Sequence, residues 1–339
     1  MAHNINHKNQ YLMNLNNLEN LKAEMKSLGF KPELIEKMEE QVKAGLPEFT
    51  LKDQVKSHKG QVDLNVFFKQ SGQSENYYLN KFEVSLNEGK ALESGQQYLV
   101  ISPSDTPGKN NVWKRENVAE AIELFKKHTG NAELASGKDA AHKTQLASME
   151  NGKINYVDKD FGRIFRNPPL PQTIWVDRGK GFTAPQAINL IEGRAVYRED
   201  MLTQGGMPYK AWMKLDLDGP RDRHMNYNMN QYHDPSYGFN LKEVLDKFNI
   251  KELETPKERE KLEAQLKNGD RPAVTVEKNG EPLKVFVEAV PRYSQLNMYT
   301  SSGRAEKREQ FLKQPSLNKE ISKTKIKEKG VSEAQGLGV

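Results

Sequence analysis

The sequence predicts an α+β fold: helices packed on antiparallel β-hairpins, in two related compact regions, ended by a disordered basic tail. Three observations carry that reading. Two stretches echo one another, EQVKAGLPEFTL at 40–51 and AQLKNGDRPAVTV at 264–276. Each reads as a helix end with an apolar residue, Lys, Gly and Pro, then an apolar–Thr–apolar strand start. Several runs alternate apolar and polar residues with period two, the pattern of a strand with one buried face. Between them lie apolar stripes at three- and four-residue steps bounded by Gly, Pro and capping residues, the pattern of short amphipathic helices. A unit used twice points to a packing or binding scaffold more than to a single catalytic centre.

The elements follow in order. Leu15, Leu18, Leu21, Met25 and Leu28 form one helical stripe, and Gly29 is placed to end it, because glycine accepts positive φ without penalty. Pro32 opens a second helix with Leu34, Ile35, Met38 and Val42 on one side, ending at Gly45 and Pro47. A hairpin is expected from 61–69 and 77–86, with Asn80 breaking its apolar face, and QYLVIS at 97–102 reads as a third strand. Residues 1–102 are therefore expected to form an N-terminal helix-plus-hairpin domain.

Residues 103–172 read as an insertion or linker with one helix near 116–128, a polar run from Thr129 to Gly152, and little core of its own. Pro168, Pro169 and Pro171 favour extended backbone at its end.

A C-terminal α+β domain is expected over 173–302. Ile174 and Val176 begin a strand. Thr183 with Gln186 three residues later forms a capping-box signal, with Phe182 as the staple. A second hairpin pairs 208–218 with the Met225, Tyr227, Met229 alternation. Leu241, Val244, Leu245 and Phe248 mark another helix face, and Pro256 opens one more. Val274 and Val276 face Val285 and Val287 across Asn279-Gly280, a strong hairpin signal. Residues 303–339 are polar and Lys-rich and are expected to be a disordered basic tail.

Composition narrows the function classes. Only 36% of the 339 residues are hydrophobic and 29% are charged. No stretch approaches the roughly 20 apolar residues of a membrane helix, so no membrane partner is expected. The absence of cysteine excludes disulfides, thiolate metal sites and cysteine nucleophiles. The start of the chain has no apolar signal core, so a cytoplasmic location is expected. The formal charge is +5; nine Lys/Arg against five Glu after residue 302 leave only +1 on the rest. The basicity therefore sits in the tail.

Candidate chemistry is sparse. There is no nucleophile elbow and no Walker-type loop, so no enzyme and no cofactor is expected. His224 and His233 with Asp222 and Asp234 match no zinc ligand spacing, and no metal site is assigned. Glu192, Glu199, Arg194 and Arg198 read as ion pairs flanking a strand. Trp212, Lys214, Asn226, Asn228 and Asn230 gather on one hairpin; residues two apart share a face, giving an aromatic, a cation and amides suited to bases and phosphates. The same residues also read as a solvated sheet face with Trp212 partly covered. Lys319, Lys323, Lys325, Lys327 and Lys329 would neutralise phosphates with strongly salt-dependent affinity, or simply solubilise a terminus.

The stretches GFTAPQAINLIEGRAVYRED (181–200), YKAWMKLDL (209–217), 231–250 with the 274–289 hairpin, and NYYLNKFEVSL (76–86) resemble a family of uncharacterised proteins encoded on conjugative transposons and related mobile elements of Bacteroidota. The likeness covers about residues 14–100 and 173–300. Residues 103–172 are longer than that pattern. The resemblance implies a mobile-element context beside DNA-processing domains such as topoisomerases, and it brings no catalytic residues. The expected function is thus a non-enzymatic accessory protein with weak, non-specific binding to DNA or RNA. The alternative is a protein–protein adaptor that recruits a DNA-processing or transfer component.

Overall fold

The computed structural model describes residues 15–278 and 280–313; the five tail lysines and Asn279 lie outside them. Helices α1 (Leu15–Ser27) and α2 (Pro32–Lys43) lead into strands β1 (Glu48–Ser57), β2 (Gly60–Gln70) and β3 (Tyr77–Asn87). Then come β4 (Gln97–Pro103), β5 (Asn110–Arg115), α3 (Val118–Lys126), β6 (Ala132–Gly137), β7 (Lys143–Glu150), β8 (Lys153–Val157) and α4 (Gly162–Arg166). They are followed by β9 (Gln172–Asp177), β10 (Lys180–Gly181), α5 (Ala184–Ile191), β11 (Val196–Leu202), β12 (Pro208–Leu215) and β13 (Met229–Asp234). The described chain finishes with α6 (Leu241–Asp246), α7 (Pro256–Lys267), β14 (Ala273–Lys278), β15 (Glu281–Val290), β16 (Gln295–Tyr299) and β17 (Ala305–Glu306). This is an α+β fold with antiparallel sheets.

The unit that the sequence displays twice occurs four times. In each copy a helix feeds a three-stranded antiparallel meander: α2 with β1–β3, α3 with β6–β8, α5 with β11–β13, and α7 with β14–β16. Three of the four helices end the same way. Gly45, Gly193 and Gly269 adopt positive φ. Their N–H groups bond to Val42, Leu190 and Leu266, while the next N–H reaches back to Gln41, Asn189 and Gln265. These paired bonds satisfy carbonyls that a helix end leaves open and turn the chain into the next strand.

Four sheets result, in the orders β1-β2-β3-β9-β10, β5-β4-β6-β7-β8, β11-β12-β13 and β14-β15-β16-β17. The first core lies between α1, α2, α5 and the first sheet, with Met25, Met38, Phe68 and Phe82 fully buried. The capping box at Thr183 and Gln186 is present and starts α5. The third sheet is a wall between two cores. Val196 and Leu215 face the first core; their neighbours Tyr197, Trp212 and Tyr232 face the last, with Phe239, Leu245 and Leu266.

Three expectations are corrected. Residues 103–172 are not a poorly packed linker: with β4 they form a five-stranded sheet with its own core of Tyr98, Val100, Ile122, Phe125, Leu134 and Phe161. The polar run is polar because β7 and β8 present wide exposed faces, not because it lacks strands. The boundaries also move. QYLVIS pairs with β5 and β6 rather than with the first hairpin, and the Ile174–Val176 strand pairs with β3, not with the later region. The inserted sheet thus interrupts the first one. Finally, 303–313 do not belong to a disordered tail. A short 3-10 turn, Arg308–Phe311, buries Phe311 in the last core, and Leu312 bridges to Phe248.

Candidate nucleic-acid interface

The hairpin singled out by the sequence does not form one polar face. Trp212 is only 2% exposed and packs against Tyr197 and Phe239, with ring centroids 5.2 Å away in both cases. Its face is covered by the segment entering α6, which the period-two pattern cannot announce. Asn226 is a fastening residue: its side-chain oxygen accepts the Thr173 N–H at 2.7 Å. Asn228 donates to the Pro220 carbonyl at 3.2 Å. Lys214 is half-buried opposite exposed Asn230. Only Lys214 and Asn230 therefore remain adjacent as the sequence expected.

His224 and His233 are both exposed, and each has a different neighbour: Arg223 donates to His224 at 3.0 Å, and His233 lies against Tyr209. Asp222 accepts the backbone N–H groups of His224 and Asn226 and so shapes the loop. Among the described residues no cluster of three or more His, Asp or Glu side chains is arranged to hold a metal. Glu192 pairs with Arg194, Arg198 with Asp200, and Glu199 with Lys267.

A different surface brings aromatic and cationic groups together. On the outer face of the first sheet, Thr50, Phe67, Lys81 and Trp175 stand in one row across β1, β2, β3 and β9. Glu48, Lys69 and Tyr78 form a second row towards the sheet end. Trp175 is 69% exposed and Tyr78 is 45% exposed. A β-bulge makes this possible. The register shifts between Phe67 and Phe68, so Asn80 is the extra residue and Lys81 points outward beside it. The Lys81 ammonium then sits 4.4 Å from the Phe67 ring centroid and 2.9 Å from Glu83. The residue read as a flaw in the strand pattern is what turns a cation into the aromatic row.

The other end of the same face is covered by the inserted domain. Lys52 pairs with Glu120 at 2.7 Å, and Gln54 donates to the Glu116 carbonyl at 2.6 Å. Asp63, 4% exposed, accepts from Gln61 at 2.7 Å and from Asn117, the N-cap of α3, at 3.1 Å. Burial pushes its carboxyl from 3.8 up to about 6, against the opposing pull of the Gln61 hydrogen bond. The face is thus half platform and half docking surface.

Sequence reasoning missed Trp175 because its strand was assigned elsewhere. The available signal was local: in TIWVD, Ile174 and Val176 claim the buried face, leaving Trp175 on the other. No protein-family model, curated protein or solved structure matches the chain.

Proposed function

We propose that this protein is a non-enzymatic accessory of a mobile genetic element that binds single-stranded nucleic acid weakly and without sequence preference. The observation that carries the reading is the open row Phe67–Lys81–Trp175 with Tyr78 beside it. Neighbouring strands lie roughly 5 Å apart, so the two outer rings of the row are about 10 Å apart. That spacing suits successive unstacked bases, each of which offers a π-face to an aromatic side chain. Lys69 and Lys81 supply cations near the backbone, but Glu48, Glu83 and Asp177 share the face. Binding at the platform is therefore dominated by stacking, and its salt slope is shallow. The tail lysines Lys319, Lys323, Lys325, Lys327 and Lys329 would add a steep, stacking-independent component.

The test is anisotropy of labelled dT and rU oligonucleotides over a salt series. The proteins compared are the full chain, Trp175→Ala, Phe67→Ala, and a chain ending at Lys313. Removing one stacking ring is expected to weaken binding about 5- to 150-fold, the equivalent of the usual 1–3 kcal/mol per stacked base. Truncation should mainly flatten the salt slope. Wild-type affinity in both ring variants would overturn the platform.

A second reading has its own observation. Strand β8 pairs only with β7 among the described residues, and it presents Ile154 and Tyr156, both about half exposed. An adaptor would use such an edge to accept a strand from a partner.

A further inference from the structure

Three corners of the repeated unit meet at one place: the β1–β2 turn, the α5–β11 corner and the α7–β14 corner. They enclose an open polar cleft of about 470 Å³ lined by Lys56, His58, Asn189, Glu192, Arg194, Asp270 and Arg271. The contact is close. A methyl group on Gly269 would lie 2.9 Å from the Ala195 carbonyl oxygen and 3.0 Å from the Asn189 Cβ.

Cations at helix C-termini ordinarily serve the open carbonyls, and part of this cluster does so. Arg194 donates through Nε to the Gly269 carbonyl at 2.8 Å, Lys59 donates to the Glu192 carbonyl at 2.7 Å, and Asn189 donates to the Asn268 carbonyl at 2.7 Å. The acids are largely engaged as well. One Glu192 oxygen accepts the His58 backbone N–H at 3.0 Å and the other pairs with Arg194. One Asp270 oxygen accepts from Asn189 and Asn268. Arg271 is bound through Nε and Nη2 to Glu288, which is not part of the lining.

Donors are left over. The Lys56 ammonium, the His58 ring nitrogens, and the Nη1 groups of Arg194 and Arg271 have no hydrogen-bond partner among the described residues. The carboxylates of Glu192 and Asp270 oppose them in the lining, and among the described residues the second Asp270 oxygen has no hydrogen-bond partner. Two guanidinium edges, an ammonium and an imidazole around one open space match the several oxygens of a phosphate group.

We infer that this three-way junction is a phosphate-binding site. It lies six residues along β1 from Thr50, roughly 20 Å from the aromatic row at the strand rise, and is independent of the platform. The phosphate is either a free ion or the terminal group of a nucleic-acid strand.

Calorimetric titration of the full chain with inorganic phosphate, pyrophosphate and 5′-phosphorylated or 5′-hydroxyl dT oligonucleotides tests this. Lys56 and His58 are exposed and, among the described residues, their side chains make no hydrogen bond or ion pair, so Lys56→Ala/His58→Ala should fold, as circular dichroism would verify. Saturable phosphate or pyrophosphate binding, weakened at least fivefold by the double variant and untouched by Trp175→Ala, is the expected result. Preference for the 5′-phosphorylated over the 5′-hydroxyl strand assigns the phosphate to a nucleic-acid end; equal affinity for the two strands assigns it to the free ion. No binding of any phosphate, or binding indifferent to the double variant, overturns the site.

Discussion

Trp175 and Trp212 sit at equivalent kinds of position, each on a strand whose neighbours alternate, yet one is 69% and the other 2% exposed. The difference lies in what stands opposite each sheet. The first sheet carries helices on one face and leaves half of the other open. The third sheet is pressed between two cores at its centre, so Trp212 and its neighbours in β12 are buried on both faces, while much of β13 stays exposed. A period of two says that successive side chains point opposite ways; it does not say that either way leads to water.

Substitution at the two tryptophans is the sharpest way to break this contrast. Trp212→Ala removes a large ring from a filled core and should cost about 3–5 kcal/mol in urea unfolding. Trp175→Ala should stay within about 0.5 kcal/mol while losing oligonucleotide affinity. Equal destabilisation by both variants would mean that the outer face is covered in solution.

The helix corners give a second, smaller contrast. Gly45 and Gly269 occupy matching places in the two echoing segments and share positive φ, at 72° and 83°. Nothing lies within 4 Å of a side chain added at Gly45, whereas one at Gly269 strikes the backbone of the neighbouring unit. Gly45→Ala should therefore cost about 1 kcal/mol, and Gly269→Ala about 2–4 kcal/mol through overpacking at the junction. Similar melting shifts for the pair would remove the case for a tight three-way contact.

The covered half of the first sheet offers the third test. Asp63 holds its proton more firmly folded, near pH 6, than unfolded, near 3.8. Stability from this group is complete at low pH and is lost as pH rises from about 4 to about 6, then stays level. The loss is at most about 3 kcal/mol. The difference between wild type and Asp63→Asn in unfolding free energy should change across that window and be flat above it. A flat difference throughout would mean that water reaches Asp63 and the insert does not seal that end.

Much of the local structure was legible in the sequence. The Thr183–Gln186 capping box, the Pro32 and Pro256 helix starts and the Val274–Val285 pair all depend on residues close to one another, and each forms as read, whereas Val276 faces Leu283 and Val287 pairs with Met298 instead. Pairing across distance was not legible. Nothing in TIWVD names β3 as its neighbour, and nothing in the polar 129–152 run says that Leu134 and Ala147 share a core. The candidate interface fell with those pairings. Trp212 stands among polar neighbours in the sequence, and Phe239, which covers it, follows 27 residues later. Trp175 is not legible as a platform residue until β9 is seen to lie beside β3.

The interruption of the first sheet sets an order of events on the ribosome. Strands β1–β3 emerge early, but the strand that flanks β3 is translated only after the whole inserted sheet, and α5, which seals the core, comes later still. The nascent chain therefore waits with one sheet edge open while the later-made insert, whose strands and core residues are contiguous, is able to close first. A polypeptide stalled anywhere before α5 carries a ready template for another strand, the kind of surface that chaperones hold and that unassisted chains aggregate through.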